Sequence, residues 1–115
     1  MNIKTNRGGR TVRLTLKGAM AQGNGNGSLR RAVAQGLRAG ASRIEIDASH
    51  VRFLDAAGLG ELVACRAMAE GAGAEFRLDG VRGKTLQLIA MTGLDKVLIR
   101  RPRSKGVHRL TFRVA

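Results

Sequence analysis

Tryptophan and tyrosine are absent from this 115-residue chain, and aromatic residues make up only 3% of it. The core must therefore be built from Leu, Ile, Val, Ala and Met, which suits helices packed closely on a sheet. The same shortage argues against stacking of bases or sugars on aromatic rings. Cysteine is almost missing too. The single Cys65 rules out an intrachain disulfide framework and reads as a small core or boundary residue in a reducing compartment. With only His50 and His108 beside it, there is no credible zinc set. No apolar run approaches the ~20 residues needed to span a bilayer. The first seven residues contain no h-region of a secretory signal, so the expected location is cytoplasmic.

Acidic residues are missing from both ends. All eight lie between Glu45 and Asp95, whereas residues 1–43 carry nine Lys or Arg and residues 96–115 carry seven. Residues 44–95 hold five bases against eight acids, a balance of −3 inside a chain of net charge +13. A mildly acidic centre is thus framed by basic flanks. Such flanks stay solvated or meet an acidic partner, whether nucleic acid or an acidic membrane surface.

What is present fits one domain. A chain of this length has room for one core, and 43% hydrophobic content is ordinary for a globular protein. Residues 11–17 alternate with period two, Val12, Leu14 and Leu16 facing one way, which predicts a half-buried strand. An earlier strand around Ile3 would join it through a hairpin at Gly8-Gly9. Residues 18–27, rich in Gly and Asn, read as a loop. Ser28 is placed to cap a helix with the stripe Leu29, Ala32, Val33, Gly36 and Leu37, which Gly40 ends. A strand at 43–48 precedes a second helix from about Ala56 to Glu70 with the stripe Leu59, Leu62, Val63 and Ala67. A strand at 75–79 and a helix at 84–92, with Leu86, Ile89 and Ala90 inward, come next, and Gly93 suits its C-cap. Residues 97–99 and 110–114 suit two more short strands, separated by a basic linker at 100–106. Strands alternating with helices imply parallel βαβ crossovers, so the fold class is α/β.

Asp55 stands immediately before the second helix, where its carboxylate can accept N–H groups of the first turn and meet the positive end of the helix dipole. Gly58 and Gly60 follow inside the helix, each at a cost of up to ~1 kcal/mol relative to alanine. Two readings fit: a capped helix packed tightly on its sheet, or an exposed recognition surface at the helix start.

The ordered set Ile46-Asp47-Ala48-Ser49, Val51, Phe53, Asp55-Ala56-Ala57-Gly58-Leu59-Gly60 and Thr92-Gly93-Leu94-Asp95 resembles the STAS domain of bacterial anti-sigma factor antagonists, across about residues 10–99. The resemblance implies a sheet of four to five mixed strands with helices packed on one face, and a basic extension at 100–115. It implies a regulatory module without enzymatic activity or cofactor that binds an anti-sigma factor, usually a serine kinase, or another ATPase-fold regulator. The expected partner-binding residues are Asp55, Ala56, Ala57, Gly58 and Leu59, with Met20 and Ala21 from the loop after the second strand.

Two departures matter. Relatives carry a phosphorylatable Ser or Thr directly after the aspartate, where this chain has Ala56, a degenerate phosphosite. Residues 18–21 also lack the two acids of the Gly-Glu-Leu-Asp that family members tend to have, which puts kinase binding in doubt. Ser49 offers a hydroxyl nearby, but its place in the motif belongs to a structural serine.

Rival functions remain. An accessory STAS subunit of a lipid-transport ABC complex or a sensory scaffold needs no phosphosite, which suits Ala56. The basic flanks could neutralise nucleic-acid phosphates, although no reading module is visible. A last strand at 110–114 would permit a homodimer by edge pairing. Gly83-Lys84-Thr85 resembles the end of a P-loop, but the glycine required five residues earlier is Leu78.

Overall fold

Period-two alternation in four segments produces the sheet of the computed structural model, which describes residues 2–20, 27–91 and Gly93. Strands β1 (Asn2–Gly8), β2 (Thr11–Met20), β3 (Arg43–Leu54) and β4 (Glu75–Asp79) lie in the order β1-β2-β3-β4. β1 pairs antiparallel with β2 through a tight turn in which Gly9 has φ 60°. The β2–β3 and β3–β4 pairs are parallel, as crossovers through helices require. The crossovers are α1 (Ser28–Arg38) and α2 (Ala56–Gly71), and α3 (Gly83–Met91) follows β4. The sheet is therefore mixed, with α/β crossovers, as the STAS resemblance implied.

One face of the sheet is apolar. Val12, Leu14 and Leu16 of β2, Ile44, Ile46 and Ala48 of β3, and Phe76 and Leu78 of β4 are all buried. Helix α1 covers them with Leu29 and Val33, α2 with Leu59, Leu62, Cys65 and Ala69, and α3 with Ile89. Each large aliphatic removed from water contributes about 1.5–3 kcal/mol. Arg30 of α1 also pairs with Glu61 of α2 at 2.6 Å, tying the two helices together outside the core.

The opposite face is ionic. Arg13 lies at 3.0 Å from Glu45, 3.4 Å from Asp47 and 3.2 Å from Asp79, so one guanidinium serves three carboxylates on two neighbouring strands. Arg43 and Arg77 complete the lattice with Glu45 and Glu75. Burial opposes the charge of Arg13, but the carboxylates outweigh it and raise its pKa. For Asp47 burial again opposes ionisation, while hydrogen bonds from Ser49 and the charge of Arg13 win and lower its pKa.

Several local expectations need correction. The residue capping α1 is Gly27, at φ 81° and with no side-chain cap bond, because Ser28 is already the first helical residue. Residues 18–20 are not loop but the end of β2. Strand β3 does not stop at Ala48 but runs to Leu54, pairing on to Met20. Ala67 and Ala90 are exposed rather than part of their stripes, since Cys65 and Ala69 occupy the inward line of α2. The proposed strands at 97–99 and 110–114, the linker at 100–106 and Ala21 lie outside the described residues.

The extension of β3 has a simple grammar. Ten residues of β2 pair along twelve of β3, with register shifts between Thr15 and Lys17 and between Gly18 and Ala19. Setting Ser49 and Arg52 aside restores perfect alternation: Ile44, Ile46, Ala48, Val51 and Leu54 face the core, and Glu45, Asp47, His50 and Phe53 face away. The two surplus residues form bulges that re-aim the end of the strand.

Candidate functional site

The start of α2 is held by three backbone devices. Asp55 occupies the cap position in an extended conformation, and its carboxylate accepts the Gly58 N–H at 2.9 Å. Its carbonyl accepts the N–H of Leu59 at 2.9 Å, and its own N–H donates to the Met20 carbonyl at 3.1 Å. Gly58 then passes so close to β2 that a Cβ there would overlap the Met20 carbonyl and stand 2.8 Å from the Met20 Cβ. Helix start and strand end are thereby fastened together. Gly60 does not share this role, because nothing lies within 4 Å of the place its Cβ would take.

The seven residues expected to meet a partner fall into distinct environments. Ala56 and Ala57 are exposed on the first turn, and Asp55 is half-buried. Gly58, Leu59 and Met20 are buried and support the turn from beneath. Ala21 lies outside the described residues. Two residues before Asp55 stands Phe53, 55% exposed, a large apolar side chain left in solvent. Sequence reasoning took Phe53 only as part of a motif. The signal that it faces outward is the alternation that reappears once Ser49 and Arg52 are set aside. The resulting surface is small, apolar and without a hydroxyl at residues 56 and 57, beside a carboxylate committed to its helix.

The nearby polar groups are structural in geometry. The Ser49 hydroxyl donates to Asp47 at 2.7 Å and the Ser49 N–H reaches the same oxygen at 3.0 Å. Cys65 is fully buried, and burial pushes its thiol up to about 12, with Glu61 adding to the shift and Arg30 opposing it. A thiol so held is no nucleophile at neutral pH. Among the described residues no group of three or more His, Cys, Asp or Glu is placed to hold a metal ion. Nor is any helix among them long and apolar enough to cross a membrane.

This arrangement, a mixed sheet with helices on its apolar face and an aspartate-capped α2 clamped to the end of β2, defines a small α/β domain of the kind seen in anti-sigma factor antagonists. The family described as "Mlab, STAS domain" matches residues 3–100, and the chain belongs to it. Among solved structures, an anti-sigma factor antagonist from Mycobacterium paratuberculosis is 23% identical with a TM-score of 0.72, over 84% of this chain and 81% of that one. The unphosphorylated form of the anti-sigma factor antagonist SpoIIAA is 16% identical with a TM-score of 0.71, over 95% of this chain and 96% of that one. The murine anion transporter Slc26a9 matches at 16% identity and a TM-score of 0.67, over 91% of this chain but only 16% of the transporter. These likenesses show the fold. No curated protein matches the chain.

Proposed function

We propose that this protein is a non-enzymatic regulatory module that binds a protein partner through the start of α2, independently of serine phosphorylation. The observation that carries the reading is the exposure of Ala56 and Ala57 on a rigidly clamped first turn, with Phe53 exposed at the end of the strand that leads into it. A phosphoryl group placed there would add about −1.5 to −2 charges, but neither alanine can receive one. The surface is therefore permanently in its uncharged state. An anti-sigma factor or another ATPase-fold regulator is the partner that the family resemblance suggests. The missing hydroxyl equally suits an accessory subunit of a lipid-transport ABC complex.

The test is a pull-down with the native protein, Phe53→Ala and Ala56→Glu, in low and high salt. Glutamate at residue 56 joins the first turn of α2, where an acid is tolerated by the helix dipole, so the fold is left alone. A partner retained at high salt and lost from both variants supports the reading, and its identity separates anti-sigma factor from transport ATPase. A partner indifferent to both substitutions refutes it. Phosphate incorporated elsewhere on the chain, with loss of binding, would also count against a phosphorylation-independent module.

A further inference from the structure

Three cationic side chains and a histidine, from three segments, surround one concavity. Lys17 of β2, His50 and Arg52 of β3, and Arg82 from the turn before α3 line an open cavity of about 510 Å³ together with Ser49 and Val51. Among the described residues no carboxylate lines it. Lys17, His50, Arg52 and Arg82 are exposed, and among the described residues none of them is in an ion pair, because the acids of the polar sheet face are engaged by Arg13, Arg43 and Arg77.

The site is built rather than accidental. Both surplus residues of β3, Ser49 and Arg52, are lining residues, so the bulges that interrupt the strand are what turn this segment toward the cavity. Gly80, at φ 81°, packs so tightly on Ser49 that a Cβ would sit 2.8 Å from the Ser49 Cβ and backbone nitrogen. That approach presses the turn after β4 against the bulge and delivers Arg82, whose guanidinium donates to the Ser49 carbonyl at 3.3 Å. The Ser49 hydroxyl lies 3.2 Å from Nδ1 of His50, which leaves the other ring nitrogen clear of that contact.

We infer that this concavity binds a phosphate-bearing ligand, either a free phosphate ester or the headgroup of an anionic phospholipid. Two guanidiniums and an ammonium within one concave wall suit the three-oxygen face of a phosphate, for which arginine provides paired parallel donors. A cleft lined by one sign of charge also concentrates counter-ions more strongly than the same charges on a convex surface. The cavity is roomier than phosphate alone requires and falls within the usual size of small-ligand sites, about 300–1,000 Å³. The cavity shares no lining residue with the α2 surface, although Arg52 adjoins Phe53 in β3.

The experiment is a titration of the full chain with inorganic phosphate against chloride at matched ionic strength, followed by amide chemical shifts. Expected are saturable shifts confined to Lys17, residues 49–52 and Arg82. An Arg52→Gln, Arg82→Gln double variant should bind at least tenfold more weakly. An Arg31→Gln, Arg38→Gln double variant, which removes the same charge from α1, should change less than twofold. Shifts spread over β1 and α1, or equal losses from the two double variants, would overturn the proposal in favour of unspecific attraction. Co-sedimentation with vesicles of anionic phospholipid, against neutral vesicles, separates the sources. Loss with the Arg52, Arg82 pair alone assigns a lipid headgroup, whereas equal vesicle binding by all three proteins beside a site-specific phosphate titration assigns a soluble ester.

Discussion

Helices α1 and α2 cover the same sheet, yet they begin in opposite ways. The chain enters α1 through Gly27, which has no side chain to cap with, and the Arg31 N–H donates to the Gly27 carbonyl at 3.0 Å, with Arg30 pairing to Glu61 of α2 beside it. It enters α2 through Asp55, which caps Gly58, receives Leu59 and donates to Met20, while Gly58 lies against the Met20 backbone. The helix whose first turn exposes small uncharged residues, Ala56 and Ala57, is also the one whose first turn is clamped to the end of a strand. A surface used for recognition gains when its geometry is settled before binding, since less ordering is left to be done in the complex.

The comparison predicts unequal responses to the same chemical change. Gly58→Ala should have the largest effect, about 3 kcal/mol or more, because the added methyl meets rigid backbone rather than a side chain that can turn aside. Gly36→Ala on α1 would meet Val12 and Ile44 side-chain atoms first, at 3.2 to 3.5 Å, and should cost much less, because methyl groups can give way by a few tenths of an ångström. Urea midpoints of the two variants would test this, and equal losses would break the comparison. Asp55→Ala should come next, at about 1 kcal/mol for a lost N-cap, seen as a lower melting temperature. Gly60→Ala, in open space on the same helix, should stabilise by up to about 1 kcal/mol. If it destabilised instead, the clamp would extend beyond Gly58.

The smallest effect at neutral pH belongs to the opposite face. The folded pKa of Asp47 lies below the ordinary 3.8, chiefly through Ser49 and Arg13 acting against burial. Its contribution is therefore fully present above about pH 4 and is lost as the pH falls through the lower folded value. Ser49→Ala should leave less to lose, so its urea midpoint should fall less steeply with acid than that of the native protein. An identical acid profile for the two would remove Ser49 as a cause.

What was legible in the sequence was whatever is written locally. Val12, Leu14 and Leu16, the capping carboxylate of Asp55 and the Gly-Leu after it can each be read from near neighbours, and with the STAS resemblance they led to the mixed sheet and to the start of α2. What was not legible depends on partners distant along the chain. Gly58 and Gly60 look alike until Met20 is placed beside one of them. The break after Ala48 looks like a turn, because a bulge exists only relative to the strand it pairs with. Lys17, Arg52 and Arg82 gave no sign of facing one cavity, since Gly80 on Ser49 is what brings them together.

Arg13 and Glu45 are 32 residues apart, and so are Arg43 and Glu75. These two rungs of the ionic face thus close chain loops of equal length, one through α1 and one through α2. Loop-closure entropy grows only with the logarithm of length, so it favours neither crossover. The order in which the parallel strands dock is left to the side chains. The hairpin of β1 and β2 needs only a short loop and can form first on its own. Strand β3 must then find β2 and β4 across equal distances, and the rungs Arg13–Glu45 and Arg43–Glu75 close those two loops with opposite charges.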